Sequence, residues 1–266
     1  MPPNTANPRL PLADKVAVVS GSSSGIGAAI ARELSVRGAN VVINYPFEAE
    51  RANAASVQES LERPGKSIIV EADLSTTTGA SVLVDAAVAE FGRIDILVNN
   101  AGLSGMMSMS EEDNDAFLAH WEKIVNLNGR GTLLLTRAAL KHLSPNNSRI
   151  VNICSSTSRD PEHDMPIYAG SKGMIESFTR CWARELPRKY GCTINAVAPG
   201  PTATPALLAA PPEVLAQIKG TCERTPVAAR LAEPKEIAWA VAMLCEEGAS
   251  WMNGLYVPVT GGLTMN

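Results

Sequence analysis

Short runs of β-branched and aliphatic residues recur along this chain, at 16–19, 41–43, 67–70, 94–98, 149–153, 193–197 and 255–259, and they are apolar almost throughout instead of alternating. An alternating strand has one wet face. A strand that is apolar on both sides must be covered on both, which is the condition of a parallel sheet held between two helical layers. The helices belong in the intervening segments, 26–37, 49–62, 79–91, 111–142, 169–190 and 234–246, the last opening on Pro234 as a first helical turn favours. Strand and helix in alternation, joined by right-handed crossovers, predict an α/β fold of Rossmann type. The expected form is a doubly wound, seven-stranded parallel sheet with helices on both faces. Ligands in such sheets bind beyond the carboxyl ends of the strands, so the chemistry is expected there.

With 266 residues, of which 45% are hydrophobic and 19% charged, the chain has apolar material for one large core. No repeat and no shift in composition divides it. The expectation is a single dinucleotide-binding and catalytic domain over 14–266, preceded by a flexible N-terminal tail over 1–13. The start lacks the apolar centre of a secretory signal, and no apolar run is long enough to cross a bilayer, which points to a cytoplasmic protein. A net charge of -4 with dispersed Lys and Arg argues against nucleic acid or an anionic membrane as partner and for a small molecule. Five cysteines without a CxxC pair fit reduced thiols, and no metal site is expected. The Pro-, Ala- and Thr-rich stretch 200–225 has the composition of a mobile flap over a cleft.

The first strand runs straight into Ser20-Gly-Ser-Ser-Ser-Gly-Ile-Gly27 and then a helical pattern. Glycines at such a turn let backbone N–H groups and the positive end of a helix approach a pyrophosphate. Gly21, Ser23, Ser24, Gly25, Ile26 and Gly27 are therefore candidate cofactor contacts. The spacing is Gly-x3-Gly-x-Gly, not the commoner Gly-x-Gly-x2-Gly. The second strand ends at Asn44-Tyr45, where an acid would grip the adenosine ribose in an NAD-selective protein. The third ends at Asp73-Leu74, where a short polar side chain could meet an adenine amino group, or merely cap a helix. The fourth ends in Asn99-Asn100-Ala101-Gly102, where small residues admit a cofactor and Asn side chains pin neighbouring strands.

The fifth strand ends in Cys154-Ser155-Ser156, and thirteen residues after Ser155 comes Tyr168, with Lys172 four residues further on. That spacing puts phenol and ammonium on one helical face. The charge there is expected to depress the phenol's pKa from about 10 and fit it for acid/base work.

Taken in order, these motifs resemble those of the short-chain dehydrogenase/reductase family, in its compact single-domain branch, over roughly 14–262. The resemblance implies that Tyr168 is the acid/base, that Lys172 tunes it and bonds the nicotinamide ribose, and that Ser155 holds the substrate oxygen, with Ser156 second choice. It also implies a helical Asn, for which Asn126 and Asn128 both qualify; Asn128 is chosen because its register suits the helix that follows. The Pro199-Gly200-Pro-Thr202-Ala-Thr204 turn is expected to receive the carboxamide. The implied reaction is NAD(P)H-dependent reduction of a ketone to a secondary alcohol, or its reverse, the cofactor carrying the hydride.

With no carboxylate at Asn44-Tyr45, and with Ser22, Ser23, Ser24 and Asn44 as donors to a 2′-phosphate, the expected cofactor is NADP(H), NAD remaining possible. Ser24 stands where NADP-preferring relatives often carry a cation, and Arg51 is the nearest candidate. Met106, Met107 and Met109 suggest an adaptable apolar substrate wall. Two rival readings are a non-catalytic dinucleotide-binding regulator and a sugar-nucleotide epimerase or dehydratase. The first would have little reason to keep Asn128, Ser155, Tyr168 and Lys172 together, and the second usually needs an added substrate domain. The helical segments 111–142 and 169–190 resemble those that pair across subunits, implying a homotetramer or homodimer.

Overall fold

The computed structural model describes residues 10–62 and 66–265. Its strands are β1 (Val16–Val19), β2 (Asn40–Tyr45), β3 (Ser67–Glu71), β4 (Ile96–Asn99), β5 (Ser148–Ile153), β6 (Cys192–Pro199) and β7 (Tyr256–Val259). They form one parallel sheet in the order β3-β2-β1-β4-β5-β6-β7. The order reverses beside β1, and that switch point is where an open α/β sheet offers a crevice. Two apolar layers sandwich the sheet. One contains Val19, Ile43, Val98 and Val197 with Leu34 and Val241; the other contains Val18, Val42, Leu97 and Ile150 with Leu83 and Leu135. Successive strand residues thus feed opposite cores, which is why the runs read as continuously apolar.

The helices are α1 (Gly25–Val36), α2 (Arg51–Glu59), α3 (Gly79–Phe91), α4 (Asn114–Val125), α5 (Thr132–Ala139), α6 (Pro166–Glu185), α7 (Pro187–Tyr190), α8 (Pro205–Leu208), α9 (Pro212–Glu223) and α10 (Pro234–Cys245). Three differences from the sequence expectations matter for the site. The helix expected over 111–142 is broken by a π-helical turn, Asn126–Gly131, that carries Asn128. The stretch 200–225 does border the cleft, as a flap would, and it holds two helices that were not expected, α8 and α9, whose prolines occupy first-turn positions where a missing N–H costs nothing. Third, the tail expected over 1–13 is docked at its end: Leu12 is buried and its N–H donates to Arg37 O at 2.9 Å. Residues 1–9 lie outside the described residues. Among those described, no helix is long and apolar enough to cross a membrane.

Candidate active site

The carboxyl ends of the central strands open into one cleft of about 1320 Å³, bounded on its outer side by α8 and α9. At one end the glycine loop is shaped by close approach. Gly21 has φ +59°, and a Cβ there would stand 2.8 Å from Ala101 Cα; a Cβ on Gly27 would stand 2.3 Å from Gly21 O. Both positions require glycine. Asn44 Oδ1 accepts from Gly21 N at 2.9 Å, and Asn100 Nδ2 donates to Ser20 O and Gly21 O at 2.9 and 3.0 Å. Ser20 Oγ accepts from the N–H groups of Asn100 and Ala101 at 2.9 and 3.0 Å. Ser24, the N-cap of α1, makes no side-chain capping bond. The result is a backbone cradle at a helix N-terminus, facing the cleft, which fits the pyrophosphate of a dinucleotide.

Ser23, Ser24, Gly25, Ile26, Asn44, Asp73, Leu74, Asn100, Ala101 and Gly102 all line this part of the cleft. Pro199, Gly200, Thr202 and Thr204 line it as well. Tyr45 does not. As the last residue of β2 its side chain alternates away from Asn44 into the core, and its hydroxyl takes a hydrogen bond from Arg51 Nη1 at 3.1 Å. Ser22 is likewise spent, donating to Val19 O at 2.7 Å and accepting from Asn44 N at 2.9 Å. The structure brings in instead one of the two acids, Glu48 and Glu50, that stand close to the strand end in the sequence. Glu50 lines the cleft, and its Oε2 accepts from Ser23 Oγ at 3.3 Å and Asn53 Nδ2 at 3.0 Å. Arg51 is paired with Glu48 at 3.7 Å and does not line the cleft.

At the other end, β5 delivers Ser155, and α6, opened by Pro166, delivers Tyr168 and Lys172. Ser155 Oγ accepts from Thr157 N at 3.2 Å and Thr157 Oγ1 at 2.7 Å, so its own proton is available to a group in the cleft. Thr157 was not legible within a Ser-Ser-Thr-Ser run. Lys172 is buried, donates from Nζ to Ile153 O at 2.9 Å, and lies 5.9 Å from the centre of the Tyr168 ring. The expected depression of the phenol's pKa by Lys172 is not what this geometry gives. Burial pushes the Tyr168 phenol up and a hydrogen bond with Ser155 pulls against it, while burial also pushes the Lys172 ammonium down. The reason is desolvation: Lys172 is buried and Tyr168 half-buried in the cleft wall, and the ammonium is directed at a carbonyl instead of the phenol oxygen.

Asn128 is fully buried and does not line the cleft; Asn126 does. Asn128 Oδ1 accepts from Leu103 N at 2.9 Å, and its Nδ2 donates to Leu103 O at 2.9 Å and Ser171 Oγ at 3.0 Å. It ties the loop after β4 to α6 one residue before Lys172. The wall beyond the reacting groups is apolar, with Leu103, Met106, Met165, Leu207, Val214 and Ile218. Of the three methionines expected there, only Met106 lines the cleft, and Met165 joins it. Glu162 and Arg224, 3.6 Å apart, bridge the loop after β5 to the residue that ends α9. No group of three or more side chains suited to a metal ion occurs among the described residues.

A glycine cradle at the switch point of a doubly wound sheet, facing a serine, a tyrosine and a lysine across one cleft, defines a dinucleotide-binding oxidoreductase. The family model described as Enoyl-(Acyl carrier protein) reductase matches residues 21–264. Short-chain dehydrogenase/reductase FrzI of Cladobotryum sp is 41% identical over 97% of this chain and 98% of its own length. Glucose 1-dehydrogenase 2 of Bacillus subtilis is 35% identical over 96% of each. A short-chain dehydrogenase from Burkholderia cenocepacia, solved in complex with NADP, superimposes with a TM-score of 0.84 at 32% identity over 95% of this chain and 99% of that one. The chain belongs to the short-chain dehydrogenase/reductase family.

Proposed function

We propose that this protein is a carbonyl reductase or alcohol dehydrogenase that interconverts a ketone and a secondary alcohol with a nicotinamide dinucleotide. The observation that carries the reading is the meeting of Ser155, Tyr168 and Lys172 in the same cleft as the glycine cradle. When bound, the dinucleotide supplies or takes up the hydride. The chain's own part is to orient the carbonyl and move one proton. Ser155, with its lone pairs taken by Thr157, donates to the carbonyl oxygen, and the Tyr168 phenol gives that oxygen its proton as charge develops. Lys172 anchors a ribose hydroxyl and balances charge on the phenol. Asn128 acts from beneath, holding α6 against the loop after β4.

NADP(H) is the proposed preferred cofactor. Support comes from the absence of a carboxylate at the end of β2, from the Ser23 and Ser24 hydroxyls in the cleft, and from the NADP held by the Burkholderia structure. Glu50 pulls the other way, so the preference is expected to be narrow. The Tyr-x3-Lys spacing favours carbonyl over alkene reduction. Five free thiols suit a reducing compartment, and the cytosol is proposed as the place of action.

The test is a panel of ketones and secondary alcohols with NADPH and NADH, followed at the absorbance of the reduced nicotinamide. Tyr168→Phe is expected to lower kcat by about a thousandfold while cofactor affinity stays within about twofold. Retained turnover in that variant overturns the mechanism, and a higher kcat/KM with NADH overturns the cofactor preference.

A further inference from the structure

Behind Ser155 a set of polar groups converges, none of which lines the cleft. They are Ser158 and Arg159 from the loop after β5, Glu176 and Arg180 from α6, and Tyr256 from β7. The Ser155 carbonyl oxygen accepts from Ser158 N at 3.1 Å, Ser158 Oγ at 2.8 Å and Tyr256 Oη at 2.9 Å. Each hydroxyl has one proton, and this carbonyl is the shortest acceptor for both. Ser158 Oγ also lies 3.2 Å from Tyr256 Oη and 3.3 Å from Glu176 Oε2.

Glu176 binds the set together. Its Oε1 accepts from Arg159 Nε and Nη2 at 3.1 and 2.8 Å, and Arg180 donates to the same oxygen. The Arg159 guanidinium lies over the Tyr256 ring, 3.9 Å from its centre. Burial pushes the Glu176 carboxyl up, but the hydrogen bonds from Arg159 and Arg180 outweigh it and hold the group below the usual carboxylate range. A buried carboxylate is a costly way to fill space, because apolar side chains of like volume pack as well or better. What it provides is direction. Glu176 stands one helical turn beyond Lys172, so the network fixes the Ser155 peptide against the helix that carries Tyr168 and Lys172.

We propose that Tyr256 and Glu176 are positioning residues, a clamp on the back of Ser155 that sets its hydroxyl against the Tyr168 phenol. The inference rests on the reading of Ser155 and Tyr168 as the reacting pair. Neither clamp residue lines the cleft. The hydrogen bond that Ser155 gives the substrate oxygen strengthens as that oxygen gains charge, and it is sensitive to displacements of about 0.5 Å. Loosening the clamp therefore lowers kcat and leaves binding alone.

Tyr256→Phe removes one donor to the Ser155 carbonyl and keeps the ring beneath Arg159; Glu176→Gln keeps the shape and removes the charge. For each, kcat, substrate KM, cofactor Kd by fluorescence titration, the thermal midpoint and the pH profile of alcohol oxidation are measured. The expected result is a fall in kcat of about tenfold, the worth of one hydrogen bond, with KM and Kd within about twofold. The pH at which oxidation reaches half its plateau also moves upward. The groups around the phenol are the Ser155 hydroxyl, the Cys154 thiol and, on its own helix, Lys172, and the Ser155 bond is the one that pulls the phenol's pKa down. Unchanged kcat and pH profile in both variants overturn the proposal. So does a loss in which kcat, cofactor affinity and thermal midpoint fall together, since that is plain structural support. Should Tyr256→Phe fail to fold, Glu176→Gln decides. An active Tyr168→Phe removes the underlying mechanism and the clamp with it, whereas an inactive Tyr168→Phe beside an unaffected Tyr256→Phe removes the clamp alone.

Discussion

Tyr168 is a phenol held by opposing influences, burial raising its pKa and the Ser155 hydroxyl lowering it. Because the net direction is upward, the protonated acid persists through neutral pH. Reduction should therefore be flat through neutral pH and fall only as pH rises past the ordinary phenol range, with oxidation rising over the same interval. A pH series of kcat/KM with the reduced cofactor checks this, and a decline centred below pH 8 would show a depressed phenol instead. Glu50 makes a second residue-scale prediction. Its carboxylate sits against Ser23 in the cofactor part of the cleft, where the proposed reading sets it against a 2′-phosphate. Glu50→Gln should raise the NADPH to NADH ratio of kcat/KM several-fold, on the order of 1 kcal/mol for a partly screened charge pair. An unchanged ratio would place Glu50 outside the phosphate's reach.

The π-helical turn between α4 and α5 does at the element scale what a straight helix could not. It adds a residue to the helical path and turns Asn128 inward, where both ends of its amide are used by Leu103 and Ser171. Asn128→Ala takes these partners from the Leu103 N–H and C=O and from the hydroxyl of the buried Ser171. The expected cost is about 1–3 kcal/mol, read as a lower urea midpoint at unchanged slope, together with reduced kcat as α6 loses its tie. Unaltered stability would mean that the turn is held by its backbone alone. The sequence placed an Asn here but not the turn, since 111–142 carries the apolar spacing of an unbroken helix. α8 and α9 escaped for a related reason: 200–225 is rich in Pro and Thr, which lower helix propensity, yet Pro205 and Pro212 open helices.

For the whole molecule, one sheet with its switch point beside β1 puts the nucleotide loop and the reacting helix on the same edge. The outer faces of α4 and α5 expose Leu118, Trp121 and Leu133, and those of α10 and the turn after it expose Trp239 and Trp251. We propose on these apolar side chains the homotetramer or homodimer that the family resemblance implies. Light scattering should return a mass near two or four times 28.1 kDa, and a monomer at micromolar concentration would refute the proposal.

The sequence by itself determined the seven strands, their parallel burial, the glycine loop and the shared helical face of Tyr168 and Lys172, because these depend on local pattern: strand and helix periods, and φ angles that only glycine adopts easily; Ser155 joined that pair through the family resemblance. The tertiary structure alone decided what crosses between elements. It turned Tyr45 into the core, brought Glu50 beside Ser23, and set Thr157 against Ser155. It aimed Lys172 at Ile153 O, and it set Tyr256 and Glu176, eighty residues apart in the chain, on either side of Arg159. Proton affinities belong to that second group. They follow from burial and from partners distant in sequence, so Tyr168 and Lys172 could be recognised by their spacing while the direction of their pKa shifts could not.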